Sequence, residues 1–267
     1  MSFVRVERPV PRVSVIVLDR PERRNSLAFD LVMPLREAIE RVAADNATTC
    51  VILTGRGPAF CAGADTREST PPPGIEGLTL TRIATKSMTL IADLVPALQR
   101  MPQPVICAVN GPAIGGGFCL TLGADIRIAA ESAFFRAAGI HNGLTAVELG
   151  LSFLLPRAIG SSRAFELMLS GRDVGAREAE AIGLVSRAVP DDRLMDEALA
   201  LAERINGWSA QGVALTKRLM WAGLEAGSLR AAIEMENHTQ LFVRLTTRNF
   251  EEAVAARREG RRPQFRD

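Results

Sequence analysis

Four short, apolar, β-branched runs punctuate the first half of the chain: VSVIVL at 13–18, CVILT at 50–54, VICAV at 105–109 and IRIA at 126–129. Each is bounded by Gly, Pro or Asn, and runs this short and this uniformly apolar read as strands buried in a sheet. Helix-period patterns lie between them, at 29–44, with Leu31, Leu35, Ile39 and Val42 on one face, and at 80–101. Strands alternating with helices predict an α/β fold. After Pro156 the patterns at 163–169, 192–205, 212–224 and 229–254 are mostly helical. We expect residues 1–207 to form the core and residues 208–267 a helical segment beyond a hinge flanked by Trp208 and Gly212. A segment of that size rarely stands alone, and docking onto a neighbouring subunit would supply the missing surface.

Composition narrows the function classes. The chain has 267 residues, 47% of them hydrophobic and 23% charged, enough for one large core or a core with a small appendage. The formal net charge of +2 comes from 32 basic and 30 acidic residues without a basic tract, which argues against a nucleic-acid or membrane-surface binder and leaves a small anionic ligand open. Lys86 and Lys217 are the only lysines. Arginine suits bidentate phosphate contacts, although a GC-rich genome is the simpler explanation. Cys50, Cys61, Cys107 and Cys119 form no CxxC pair and sit in apolar or glycine-rich runs. They read as reduced, buried thiols, with neither a zinc site nor a disulfide framework expected. No run approaches the ~20 apolar residues of a membrane span, and residues 1–11 lack a signal-peptide core. The expectation is a cytoplasmic protein. The PPPG stretch at 71–74 lies in a loop over 67–78 that is either a mobile lid or a plain surface insertion.

Two glycine-rich segments follow strands directly. GRGPAFCAGADTRE at 55–68 allows close backbone approach at its glycines, with Asp65 and Glu68 spaced as a capping box. It is either a ligand turn or an ordinary strand-to-helix turn. NGPAIGGGFCLT at 110–121 opens a helix on three glycines, each costing about 1 kcal/mol relative to Ala. They must admit close approach, either of a neighbouring helix or of a ligand oxygen bonded to free amides at the helix start. It matches neither a P-loop nor GxGxxG. Two such turns could each give one amide to a single oxygen, an oxyanion hole. For a thioester carbonyl, that charge stabilisation makes an enolate accessible.

The ordered set RPERRNSL (20–27), VILTGRGPAFCAGAD (51–65), MPQPVICAVNGPAIGGG (101–117), GADIRIAAESAFF (123–135) and LLPRAIGSSRAFELMLSGRDVGAREAEAIGLVSRAVP (154–190) resembles the crotonase superfamily, the enoyl-CoA hydratase/isomerase family. The resemblance runs over most of the chain. It implies a spiral core of ββα units with the acyl-CoA site, a C-terminal helical trimerisation segment, and assembly as a homotrimer or dimer of trimers. It implies an acyl-CoA thioester as substrate, with coenzyme A part of that substrate and no further cofactor or metal. Position by position it places the oxyanion amides at Ala64 and Gly116. Coenzyme A would lie along Arg24 and Leu27 and along Ala62, Ala64, Asp65, Thr66 and Arg67, with Lys217 as a further phosphate contact.

Hydratases of that family carry one Glu two positions after the glycine triplet and a second in a downstream Pro-Glu dipeptide. Here those positions hold Cys119 and, counted without gaps, Gly139. A thiol with a reference pKa of about 8.5 is a poor base for water at neutral pH. One acid remains in the region. Glu148 stands before Pro156 at the offset where family members that isomerise enoyl or dienoyl thioesters place a catalytic acid, a match that requires one inserted residue. A single carboxylate beside an oxyanion hole can carry a proton from one carbon to another. Glu148 could instead simply favour the start of a helix near Leu151. His141 and Asn142 share its loop and could touch the acyl group, although a lone His is more often structural. The expected reaction is double-bond isomerisation, with hydration by Glu148 alone and a non-catalytic acyl-CoA binder as alternatives.

Overall fold

The computed structural model describes residues 2–67 and 71–266. In chain order the strands are β1 (Val4–Glu7), β2 (Val13–Leu18), β3 (Cys50–Gly55), β4 (Val105–Val109), β5 (Ala113–Ile114), β6 (Ile126–Ala130), β7 (Phe134–Arg136), β8 (Val174–Gly175) and β9 (Arg187–Val189). The helices are α1 (Phe29–Ala43), α2 (Leu80–Ala92), α3 (Leu94–Arg100), α4 (Gly116–Gly123), α5 (Leu151–Ile159), α6 (Ser161–Ser170), α7 (Ala176–Ala181), α8 (Leu194–Asn206), α9 (Ala210–Glu225), α10 (Leu229–Thr246) and α11 (Asn249–Glu259).

One sheet runs β1-β2-β3-β4-β6-β9 and a smaller one runs β5-β7-β8. From β4 onward the chain crosses to the smaller sheet and back twice, first through β5 and then through β7 and β8, and these passages coil it into a spiral. β1 pairs antiparallel with β2, while β2, β3, β4, β6 and β9 are parallel neighbours. Every residue of β2, β3 and β4 is buried. Alternate side chains serve opposite faces, as a pleated strand requires. Ile16, Leu18 and Leu53 join Leu31, Leu35 and Phe118 on the side of α1 and α4, whereas Val15, Val17 and Ile52 pack with Leu194, Ala198 and Ala202 of α8. Parallel strands covered on both faces read as uninterrupted apolar runs for this reason.

Two long patterns divide. The pattern at 80–101 breaks at Asp93, because Pro96 has no N–H for the Ala92 carbonyl and its ring would crowd that oxygen. The halves differ in kind: α3 buries Leu94, Val95 and Leu98, and α2 buries nothing. The pattern at 229–254 likewise separates into α10 and α11 at Thr247, whose backbone is extended. Between α8 and α9 the helical path stops at Gly207 and restarts after the Ser209 cap, whose hydroxyl accepts from the Gly212 amide at 2.9 Å. No helix among the described residues is long and apolar enough to cross a membrane.

Candidate active site

The two glycine turns are laced together by their backbones. Cys61 N donates to Pro112 O at 3.1 Å, and Ile114 N returns a bond to Cys61 O at 2.9 Å. The triplet is required by two close approaches from within the chain, neither of them a neighbouring helix. A Cβ on Gly117 would lie 2.2 Å from the Cys61 carbonyl oxygen, so that glycine admits the neighbouring turn. A Cβ on Gly115 would lie 3.1 Å from Glu148 Oε1, so that glycine faces a carboxylate. Between them Gly116 is the first residue of α4, where an amide has no intrahelical acceptor.

Ala64 and Gly116 approach each other through shared neighbours. A Cβ on Gly63 would lie 3.5 Å from Gly116 N, and one on Gly116 would lie 2.8 Å from Leu27 Cδ1. Leu27 forms a bridge with Ala64. Leu27 N donates to Gly63 O at 2.7 Å and Asp65 N to Leu27 O at 3.1 Å. Neither the Ala64 nor the Gly116 amide donates to a backbone acceptor among the described residues. Two amide donors without backbone partners among the described residues thus stand on adjoining turns.

Glu148 precedes a tight reversal in which Leu149 (φ 46°) and Gly150 (φ 87°) are both left-handed before α5 begins. Leu151 N donates to the Glu148 carbonyl at 2.8 Å, so its backbone joins the helix start while its side chain points to Gly115. Burial alone pushes the Glu148 carboxyl above its ordinary pKa. An acid in that condition holds a proton more readily than a solvated one.

The positions of the missing glutamates are closed to replacement. Cys119 is fully buried, its thiol donates to Glu148 O at 3.5 Å, and burial raises its pKa well above the ordinary value. It is a neutral packing group beneath Glu148. A Cβ on Gly139 would lie 1.9 Å from the Thr145 carbonyl oxygen, so this backbone admits no side chain there. All four cysteines are buried and unbridged, and burial lifts Cys50 and Cys61 to about 12.

The RNSL stretch acts mainly as a tie. Asn25, left-handed at φ 55°, donates its amide to the carbonyls of Arg56, Ala59 and Phe60 and accepts from Arg20 N. Arg24 is exposed, its carbonyl accepting from half-buried Ala62 N at 3.0 Å, while Leu27 is buried. Thr66 and Arg67 are exposed. Asp65 departs from the expected ligand role: its side chain is 3% exposed and turned into the protein, facing Arg20, Arg23 and Ser26. Glu68, the expected capping-box partner of Asp65, lies outside the described residues. The turn at 65–67 closes instead by Arg67 N donating to Asp65 Oδ1 at 2.9 Å, and α2 starts only at Leu80.

His141 is exposed and tied through one ring nitrogen. Its Nε2 lies 2.7 Å from the Gly171 carbonyl, which caps α6, so the ring fastens the short 3-10 helix at Ala138–Asn142 to the core. Lys217 is a correction as well. It is buried, donates to the carbonyls of Leu98 (3.0 Å) and Gln103 (2.9 Å), and pairs with Asp125 at 2.9 Å. An ammonium with its three donors so engaged has none left for a phosphate. Only tertiary contacts reveal this, since the sequence around it is an ordinary amphipathic helix. A cavity of about 1080 Å³ lies between the core and α9 and α10, lined by Asp125, Trp208, Met220 and Trp221 among others, and includes none of Ala64, Gly116 and Glu148. The apolar and aromatic side chains of α9 and α10 form one wall of it. No group of three or more His, Cys, Asp or Glu among the described residues could hold a metal ion.

Comparison with known proteins agrees with this geometry. A sequence model of the enoyl-CoA hydratase/isomerase family matches residues 11–267. A Mycobacterium tuberculosis protein named as a probable enoyl-CoA hydratase is 59% identical over 267 residues, covering 100% of this chain and 94% of that protein. The crystal structure of a probable enoyl-CoA hydratase/isomerase from Mycobacterium abscessus superposes with a TM-score of 0.95 at 53% identity, covering 100% of this chain and 99% of the other. A monofunctional enoyl-CoA isomerase from Mycobacterium smegmatis superposes with a TM-score of 0.75 at 50% identity, covering 87% and 99%. With its spiral of β-β-α passages and its laced glycine turns, the chain belongs to the enoyl-CoA hydratase/isomerase family of the crotonase superfamily.

Proposed function

We propose that the protein isomerises enoyl-CoA thioesters by a proton shuttle on Glu148, with the amides of Ala64 and Gly116 holding the thioester oxygen. In this reading Glu148 takes a proton from C2 of a 3-enoyl thioester. The C–H electron pair passes into the conjugated system and charge gathers on the carbonyl oxygen, where the two amides stabilise it. Return of the same proton to C4 leaves the 2-enoyl isomer, with no water added. The observation that carries the reading is the placement of the half-buried Glu148 carboxyl against Gly115, next in the chain to the Gly116 amide. The states of Cys119 and Gly139 support it, since they leave no second acid of the hydratase pair. Exposed Arg24 is the guanidinium in the RNSL stretch best placed to meet a coenzyme A phosphate.

The same reading includes self-association through the last third of the chain. Trp208, Met220, Leu229, Leu245 and Phe250 expose large apolar side chains there, the pattern of a surface that a second copy covers.

Incubation of the protein with 2-enoyl-CoA and 3-enoyl-CoA in D2O, beside Glu148→Gln, tests the chemistry by mass spectrometry. Isomerised product that vanishes in the variant is expected. A 3-hydroxyacyl-CoA product would replace isomerisation with hydration, and binding without turnover across several acyl lengths would leave a non-catalytic binder.

A further inference from the structure

The residue beside the Ala64 amide carries a buried charge whose partners the proposed reaction does not use. Asp65 Oδ1 accepts from Arg23 NH2 at 2.7 Å and from Arg67 N at 2.9 Å. Its Oδ2 accepts from Arg23 Nε at 3.2 Å, Arg20 NH1 at 3.3 Å and Ser26 Oγ at 3.0 Å. Arg20 is itself 5% exposed and also reaches Asp30 at 3.2 Å. A carboxylate in such a setting is costly to desolvate, and replacing such a cluster by apolar packing is often neutral or stabilising, so stability alone is a weak reason for it.

Its place in the fold supplies another reason. Ala64 is exposed, and its side chain is a lone methyl. The backbone on either side of it is held by Leu27, which takes the Asp65 amide and gives its own to Gly63. Leu27 also packs its Cδ1 over Gly116. The segment at 20–27 therefore touches both amide-bearing turns, and the Asp65 carboxylate, beside the Asn25 amide, pins that segment to the Ala64 turn.

We propose that Asp65 is a positioning residue: through Arg20, Arg23 and Ser26 it fixes the Ala64 amide relative to that of Gly116, and so sets the strength of the oxyanion pair. The inference rests on the oxyanion reading above. Oxyanion donors act at 2.7–3.1 Å, and a displacement of ~1 Å costs about 100-fold in rate. Asparagine at 65 keeps the size but presents an NH2 to donors, which reverses the clamp.

The test reads the carbonyl directly. Butyryl-CoA, a saturated thioester that cannot isomerise, is labelled with 13C at its carbonyl, and its stretch is recorded by infrared difference spectroscopy when bound. The wild type is expected to lower the stretch, Asp65→Asn to lose most of that shift, and Glu148→Gln to keep it. On an enoyl-CoA substrate Asp65→Asn should lose about 100-fold in kcat with little change in KM. Full shift in both the wild type and Asp65→Asn would overturn the positioning role while leaving the oxyanion reading intact. No shift in the wild type would overturn the oxyanion reading and this inference together. If Asp65→Asn does not fold, Ser26→Ala and Arg23→Gln each remove part of the clamp and keep the carboxylate. Partial loss of the shift in both supports the inference, and a wild-type shift in both overturns it.

Discussion

Every residue of β2, β3 and β4 is buried, whereas α10 buries none of its residues and α9 buries only Lys217. The proposed chemistry sits in the first region, where two turns hung from buried strands hold their amides by contacts within the chain. The last helices meet the core at a buried ion cluster, in which Asp125 accepts from Lys217, Trp221 Nε1 (2.6 Å) and the Val105 amide (2.7 Å), and α11 buries Asn249 and Ala256. The proposed site thus draws on the core, while the C-terminal helices expose large apolar side chains such as Met220, Leu229 and Leu245. The two regions should therefore fail separately.

Glu148→Gln should give the largest change, a loss of about 10²–10⁴-fold in kcat, the range for general acid–base groups, with oligomeric mass and fold unchanged. A change in mass or circular dichroism would show that the site and the assembly are coupled. Next in size, Lys217→Met leaves Asp125 buried without its cation and should cost about 3–5 kcal/mol, as breaking a buried pair does. Denaturant unfolding measures it, and a loss under 1 kcal/mol would deny the cluster its fastening role. Met220→Glu with Leu245→Glu, at side chains 69% and 81% exposed, should lower the mass seen by light scattering and leave the fold of the core intact. An unchanged mass would break the contrast at its weaker side.

The smallest effect concerns pH. Burial raises the Glu148 pKa in the folded protein, so between the unfolded and folded values the folded state binds more protons and stability falls as pH rises. The cost is absent below the unfolded value and complete above the folded one. Glu148→Gln should therefore unfold at slightly higher temperature than wild type at neutral pH, with the difference vanishing in acid. kcat should fall in acid as Glu148 protonates, with a midpoint above the ordinary carboxylate value. A midpoint at or below that value would remove Glu148 as the buried base.

The four apolar runs were legible because a parallel strand covered on both faces cannot disguise itself, and the glycine triplet because no helix opens so without a spatial reason. β5, β7 and β8 were not legible. At two or three residues each, they owe their existence to the spiral's second sheet and carry no period of their own. The helix breaks at Asp93 and Thr247 carry sequence signals of their own, Pro96 just beyond the first and the β-branched pair Thr246–Thr247 at the second.

At the site the division has one physical cause. Residue type determined what chemistry was available: amides freed by glycine turns, a single carboxylate at 148, and no acid at 119 or 139. Which partner each group meets was decided by folding, because residues distant in sequence desolvate one another only when packed. Asp65 and Lys217 look like ligand groups in a string of letters. Tertiary burial turned the first toward Arg20 and Arg23 and the second toward Asp125, and the same burial set the Glu148 carboxyl against Gly115.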